Sequence, residues 1–189
     1  MFSYVSDIVA ATENRLEFYN EGKVTYSVTF TDDVNIRWIT YDPFHNRVLF
    51  TNNYRSLLSY DIATGKNQTL IDLKPHSDLF QFTYDPATGL FFLVRSSCKV
   101  YSYLVKHESN HGVDANFVID IGDYCGAGEI AVDSCGGYIY WINGDKKRIE
   151  RARLDGSERE ELTRISDDKY IYASLTIDPQ TQIMYWIER

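Results

Sequence analysis

Residues 132–163 read VDSCGGYIYWINGDKKRIERARLDGSEREELT, and this stretch decides the fold. With its flanking residues it holds four short runs, EIAVD, YIYWIN, RIERARLD and REELTRI, separated by SCGG, GDKK and GSE. Short runs that carry Ile, Val, Tyr or Trp between Gly, Ser, Asn and Asp are typical of antiparallel strands joined by tight turns. The stretch therefore predicts one complete unit of four strands.

The hairpin at the start of this stretch occurs four times in the chain. The copies are YDPFHNRVLFTN at 41–52, YDPATGLFFLVR at 84–95, VDSCGGYIYWIN at 132–143 and IDPQTQIMYWIE at 177–188. In each copy an aspartate precedes the turn. The successive intervals between Asp42, Asp85, Asp133 and Asp178 are 43, 48 and 45 residues. A period in the forties with four strands per unit is typical of propeller blades. The sequence therefore predicts an all-β protein, an incomplete β-propeller.

The repeat also predicts how the chain is divided. We expect one incomplete domain over 1–189, with full blades at about 37–73, 79–121 and 128–165 and partial blades at 1–36 and 174–189. DIVAAT, RLEFY and KVTYSVTF look like the later strands of a blade whose first strand is missing. Neighbouring blades cover both faces of a blade, so second strands such as LFFLV should be apolar on both sides. Each aspartate before a turn should accept hydrogen bonds from nearby backbone N–H groups.

Composition excludes several classes of function. The net charge of −8 argues against general binding to nucleic acid or anionic membranes. No apolar run approaches about 18 residues, so no membrane-spanning helix is predicted. The start, MFSYVSDIVAAT, lacks the basic region and long apolar centre of a secretory signal. None of the three cysteines forms a CxxC pair, which argues against a zinc site.

The run GGYIYWINGDKKRIERARLDGSEREELTR, followed by LTIDPQTQIMYWIE, resembles the YWTD repeats, which are the class B repeats of the low-density lipoprotein receptor family. The resemblance implies a six-bladed propeller of the extracellular space, of which this chain is about two-thirds. The residues that match the repeat motif are Asp42, Asp85, Asp133, Tyr140, Trp141, Asp155, Gly156, Asp178, Tyr185 and Trp186. No copy keeps the final aspartate of YWTD, because Asn52, Arg95, Asn143 and Glu188 stand there.

The resemblance favours a non-catalytic, extracellular protein-binding module of a receptor-like surface protein. Its ligand would be an extracellular protein, and it would meet a membrane only through a segment absent from this chain. Loops on a rigid scaffold carry such binding, and here they are 52–57, 95–99, 122–128, 143–148 and 166–173. The candidate contact residues are Tyr54, Tyr124, Lys146, Lys147, Tyr170 and Tyr172. The run Lys146–Arg148 has a simpler interpretation, in which it pairs with the acidic background of the domain.

Two other interpretations stay open. A propeller hydrolase or lactonase would hold a divalent ion in its channel, but Glu129 is the one carboxylate predicted at a channel entry. His107 and His111 lie in a polar loop, and no nucleophile has an identifiable base, so we expect no metal, no cofactor and no catalytic residue. Alternatively the chain is a fragment of a larger receptor without a function of its own, which would self-associate.

Two features of the predicted blades concern covalent chemistry. Cys98 and Cys125 lie in loops that emerge on the same propeller face, so the blade topology allows a disulfide between them. Cys135 lies in a turn on the opposite face and is expected to be unpaired. Asn67-Gln68-Thr69 is an N-glycosylation sequon in an exposed turn between a third and a fourth strand.

Overall fold

The computed structural model describes residues 8–31, 34–53, 56–72, 79–104, 115–122, 130–165, 174–178 and 181–187. These residues form seventeen strands and no helix, and all strand pairs are antiparallel. The all-β prediction is therefore confirmed. The chain separates into two compact units, residues 1–78 and 79–189. No described segment forms a helix that could cross a lipid bilayer.

The first unit contains a three-stranded and a four-stranded sheet, each paired in chain order. The three-stranded sheet consists of β1 (Ile8–Thr12), β2 (Arg15–Asn20) and β3 (Lys23–Thr29). The four-stranded sheet, blade A, consists of β4 (Ile36–Asp42), β5 (Arg47–Asn52), β6 (Ser56–Asp61) and β7 (Asn67–Asp72).

The second unit contains two four-stranded sheets and a hairpin. Blade B consists of β8 (Leu79–Asp85), β9 (Leu90–Arg95), β10 (Lys99–Leu104) and β11 (Ala115–Asp120). Blade C consists of β12 (Ile130–Asp133), β13 (Tyr138–Asn143), β14 (Arg148–Arg153) and β15 (Glu160–Arg164). The hairpin consists of β16 (Leu175–Asp178) and β17 (Ile183–Trp186). The stretch at 132–163 thus folds as one unit, whereas the single-domain organisation of 1–189 stays a prediction.

Burial follows the strand position within each blade. In the second strands, residues 47–51, 91–94 and 139–143 are all buried, so both faces of these strands are covered. The third strands β6, β10 and β14 mix buried and half-exposed residues. The fourth strands begin exposed, as expected at a rim. A blade is therefore stabilised chiefly by apolar burial along its second strand.

Two consecutive residues of β13 join blade C to both of its neighbours. Trp141 is fully buried in a cluster that includes Phe92 and Val100 of blade B. Tyr140 points to the other face, where its cluster includes Leu175 and the half-buried Met184 of the β16–β17 hairpin. Successive side chains of a strand point to opposite faces, so one YW pair serves two interfaces.

A β-bulge indicates which strands of a blade β1, β2 and β3 correspond to. The register shifts between the third and fourth strands of all three blades, at Leu57/Leu58, Val100/Tyr101 and Ile149/Glu150. The same shift occurs between β2 and β3, at Phe18/Tyr19. A bulge increases the local twist of a strand pair, and its recurrence makes β1, β2 and β3 correspond to second, third and fourth strands. The assignment of residues 1–36 to a partial blade stays a prediction.

Candidate functional site

The buried side chain of Asn143 is hydrogen-bonded to the backbone of the loop between β13 and β14. Asn143 occupies the position of the YWTD aspartate. Its side chain is buried, and its Oδ1 accepts a hydrogen bond of 3.1 Å from the backbone N–H of Lys146. Its Nδ2 donates to Glu150 Oε2 at 3.3 Å. An amide can both accept and donate, so Asn143 fixes the loop to its own blade.

Glu150 is a buried carboxylate that the sequence analysis did not identify as important. Arg159 donates to Glu150 Oε2 from Nε at 3.1 Å and from Nη2 at 2.5 Å, while Arg148 pairs with Oε1. Burial acts to raise the pKa of Glu150, but the bonds from Arg159, Asn143 and Arg148 outweigh it and hold that pKa below its ordinary value. The carboxylate therefore stays charged inside the protein.

Arg159 connects the ion cluster of Glu150, Arg148 and Arg159 to blade B. Its Nη1 donates to the backbone oxygen of Asp120 at 2.7 Å, at the end of β11. Its guanidinium also lies 5.2 Å from the ring centre of Trp141, close enough for a cation–π contact. One partly exposed arginine thus contacts a buried carboxylate, a buried indole and the neighbouring backbone. The cluster orients two loops at the same end of the two blades.

The two loops also approach each other closely. Gly122 follows β11 and has a φ of +122°, and a Cβ there would lie 2.9 Å from Asp145 Oδ2. A side chain at position 122 would require the exposed Asp145 carboxylate to move aside, and the positive φ there favours glycine. Asp145 and Lys146 are exposed on a loop whose backbone is bonded to Asn143. A rigid loop with exposed charge can bind a partner at low entropic cost.

The structure places only some of the predicted contact residues. Lys146 is exposed and Lys147 is half-exposed in this loop, but Arg148 belongs to β14 and pairs with Glu150 and Glu161. The acidic-pairing interpretation therefore holds for Arg148. The remaining candidates lie outside the described residues: Tyr54, Tyr124, Tyr170, Tyr172, Cys125, Glu129, His107 and His111.

The aspartates before the first turns bind those turns. Backbone N–H groups two residues on donate to Asp42, Asp85 and Asp133 at 3.0–3.1 Å. The second carboxylate oxygen takes its partner from the residue three positions on, which differs between copies. The pairs are His45 Nδ1 with Asp42 at 2.8 Å, Thr88 Oγ1 with Asp85 at 2.5 Å and Thr181 Oγ1 with Asp178 at 2.7 Å.

Blade C departs from this pattern. Its equivalent residue is Gly136, and the Oδ2 atom of Asp133 is buried without a hydrogen-bond partner in the described part of the chain. A Cβ at Gly136 would lie 2.2 Å from that oxygen. Asp133 Oδ1 instead accepts a second bond of 3.0 Å from Gln182 Nε2 of the following hairpin. In this copy the aspartate links two sheets rather than fully closing its own turn.

The LDGS segment forms the turn between β14 and β15. Asp155 Oδ1 accepts bonds from the Ser157 backbone N–H at 2.9 Å and from its hydroxyl at 2.6 Å. The Ser157 bonds, the hydroxyl first, lower the pKa of Asp155 below its ordinary value. Gly156 has a φ of +86°, and a Cβ there would lie 2.0 Å from the carbonyl oxygen of Val118. The turn thus rests directly on the fourth strand of blade B.

Other motif residues and the candidate modification sites occupy varied settings. Tyr185 and Trp186 are exposed, unlike their equivalents in blade C. Cys98 is buried and disulfide-bonded, and Cys135 is free and exposed. Asn67 is exposed at the start of β7. Within the described residues, no group of three or more His, Cys, Asp or Glu side chains could hold a metal ion.

Comparisons with known proteins bear on the fold. No protein-family model matches this sequence. A chain in the crystal structure of a nidogen/laminin complex superimposes with a TM-score of 0.72 at 17% sequence identity, covering 95% of this chain and 68% of that chain. The N-terminal domain of Nup159 superimposes with a TM-score of 0.51 at 9% identity, covering 85% of this chain and 42% of that domain. The fold is therefore a β-propeller of the YWTD type.

Proposed function

We propose that this chain is a non-catalytic, extracellular protein-binding module of a receptor-like cell-surface protein. Binding occurs through propeller-face loops, among them the 143–148 loop. The observation that carries this proposal is the pairing of exposed charge with a fixed backbone. Lys146 and Asp145 are exposed, while the buried Asn143 binds the backbone N–H of Lys146. Rigid anchors lose little entropy on binding.

Two likenesses support this proposal. The chain with a similar fold comes from a complex of two proteins, nidogen and laminin. Within the YWTD family, the segment RLEFY, the run WITYDPFHNRVLFTN and the cysteine in AVDSCGGYIYW resemble the insect transmembrane protein Cueball. That resemblance favours the ectodomain of a single-pass membrane protein. The proposed ligand is an extracellular protein rather than nucleic acid or lipid.

Other residues are also proposed to contact the partner. Tyr54, Tyr124, Tyr170 and Tyr172 fall in loops 52–57, 122–128 and 166–173, and Lys147 lies beside Lys146. Tyrosine is enriched among interface residues that dominate binding energy. The lysines are proposed to attract an acidic surface of the partner, which would raise the association rate.

The proposal is tested with a tetramerised form of the whole chain, screened against an array of secreted and cell-surface ectodomains. For each ectodomain that binds, affinity is measured for the wild type and for a Lys146→Glu/Lys147→Glu variant. We expect the variant to bind about tenfold more weakly at low salt and to lose its salt dependence. A Lys23→Glu/Lys66→Glu variant has the same charge change at two exposed positions of the other unit and should bind normally.

Two outcomes would contradict the proposal. One is equal weakening by both charge variants, which would indicate a general effect of net charge. The other is a stoichiometric divalent ion in the purified protein, measured by elemental analysis, which would favour the hydrolase interpretation.

A further inference from the structure

A small cleft opens in the first unit between the β1–β3 sheet and blade A. It has a volume of about 240 Å³ and is lined by Phe18, Tyr26, Tyr60 and the turn Ile62–Gly65. The Phe18 ring centre lies 5.6 Å from that of Tyr26 and 6.1 Å from that of Tyr60. The hydroxyl groups of Tyr26 and Tyr60 are hydrogen-bonded at 3.1 Å. The cleft thus presents aromatic rings together with polar hydroxyls.

The turn after β6 forms one wall of the cleft, and Tyr26 of the neighbouring sheet lines it too. In blade C the corresponding turn is in contact with its neighbour, since a Cβ at Gly156 would meet a backbone oxygen at 2.0 Å. In blade A the equivalent of Gly156 is Thr64, and at Gly65, one position further on, the nearest atom to a Cβ is the Tyr60 hydroxyl, at 3.7 Å. The turn after β6 lines the cleft.

The sequon asparagine begins at the edge of this space. Asn67 is the register partner of Tyr60 in the β6–β7 pair. Residues directly opposite each other in an antiparallel pair project from the same face, with Cβ atoms about 4.5–5.5 Å apart. Tyr60 lines the cleft from that face, so the exposed Asn67 side chain projects beside it.

We infer that the cleft is the seat of the first N-acetylglucosamine of an N-linked glycan on Asn67. Drug-sized ligands occupy pockets of about 300–1,000 Å³, so a cleft of about 240 Å³ suits a single ring. The half-exposed Tyr26 ring offers a π face with negative character to the sugar C–H groups. The bonded tyrosine hydroxyls offer partners for the sugar's polar groups. The inference rests on the extracellular setting of the proposed function.

The test uses the whole chain secreted from a eukaryotic host that keeps N-glycans in the high-mannose form, with Asn67 occupancy measured by peptide mass spectrometry. One sample is trimmed by endoglycosidase H to a single sugar, and another is stripped with peptide N-glycosidase F. We expect the trimmed protein to keep the Tm of the intact glycoprotein and the stripped protein to unfold about 2–4 °C lower. An Asn67→Asp variant reproduces the stripped side chain and should match the stripped sample.

The role of the cleft is isolated with two tyrosine variants. In Tyr26→Ala the trimmed and stripped samples should have equal Tm values, because the sugar has lost its wall. Tyr41→Ala removes a similarly exposed tyrosine outside the cleft and should keep the difference. An unoccupied Asn67 after secretion, or an unchanged difference in Tyr26→Ala, would overturn the inference. Neither result depends on partner binding, so failure of the proposed function would be seen separately.

Discussion

Residues near the turn aspartate differ between copies of the repeat, and these differences change the hydrogen bonds that the aspartate accepts. Thr88, His45 and Thr181 donate to the preceding aspartate, whereas Gly136 cannot. The motif aspartate therefore accepts its backbone hydrogen bond in blades A, B and C, but its second oxygen depends on a neighbour that varies. A buried carboxylate oxygen without a donor is costly, so this variation should be measurable.

Replacing Thr88 by valine keeps the shape of the side chain but removes the donor to Asp85, which is fully buried. We expect the free energy of unfolding to fall by about 1–3 kcal/mol, measured by urea denaturation. Thr181→Val is the matched control, because Asp178 is only half-buried and water can replace the lost bond. Equal losses in the two variants would contradict this account of the turn.

Gly156 is required both by its backbone angle and by its contact with Val118. Gly156→Ala should lower the free energy of unfolding by about 2–4 kcal/mol, because a left-handed residue and a backbone collision combine. Gly137 has a φ of +73° with no atom within 4 Å of a Cβ. Gly137→Ala should therefore cost only about 1 kcal/mol, and urea denaturation of the two variants separates packing from backbone strain.

Glu150 should make stability depend on pH in the acid range. Its pKa is lowered in the folded protein, so the unfolded chain binds its proton first as the pH falls. Stability from this group is therefore complete well above the ordinary value of about 4.3 and is lost as the pH falls through the lowered folded pKa. Unfolding free energies at a series of pH values should show a shallower acid decline in Glu150→Gln.

The same substitution should cost about 2–3 kcal/mol at neutral pH, because Arg148 and Arg159 lose their shared partner. Glu161 has a similar set of arginine contacts but lies at the surface. Glu161→Gln should cost much less than Glu150→Gln, because water screens exposed ion pairs. If Glu150→Gln lowered the free energy of unfolding at neutral pH as little as Glu161→Gln, the buried ion cluster would not stabilise the protein.

At the scale of elements, the second strands form the interiors of the blades and the loops join them. Among the described residues, polar side chains link neighbouring sheets of the second unit. Gln81 accepts from the backbone of Ile130 at 3.3 Å, Arg159 reaches β11, and Gln182 reaches Asp133. These bonds satisfy buried polar groups along interfaces that are otherwise apolar.

The loop after β9 carries Cys98, which has a φ of +57° and is disulfide-bonded. Because Cys135 is free, we propose that Cys125 is the partner, as the blade topology allows. A maleimide probe should label one cysteine of the oxidised protein under denaturing conditions and three after reduction, as counted by intact mass. Three labels before reduction would contradict the pairing. Cys135→Ser should abolish the single label and serves as the control.

At the scale of the whole molecule, the β-propeller fold could be predicted from the sequence because its determinants repeat. The period of the four aspartates and the apolar second strands predicted antiparallel four-stranded units, which the structure confirms. The site was harder to predict. The glycine and the charged residues of GDKK predicted that Lys146 lies in a loop. The burial of Glu150 could not be predicted in this way, because it depends on the pairing of Glu150 with Trp141 across two strands. Arg159 and Gly122 act through residues that the fold brings near them.

The exposed apolar residues of the β16–β17 hairpin should affect solution behaviour. Ile183, Tyr185 and Trp186 of β17 are exposed, and β17 pairs with β16 alone among the described strands. Open apolar strand edges favour pairing between chains. We expect the chain to self-associate with increasing concentration in light scattering and Tyr185→Lys to reduce this. Tyr41→Lys should not, and a wild-type monomer at all concentrations would contradict the prediction.

The sequence by itself determined the strands, their grouping in fours and the turn aspartates, because alternation, turn chemistry and period are local properties of the chain. Only the tertiary structure decided what those strands and turns do. It buried Glu150 beside Trp141, required glycine at positions 122 and 156, and left a cleft beside Asn67. These features depend on how closely neighbouring sheets pack, and that distance is set by side chains far apart in the sequence.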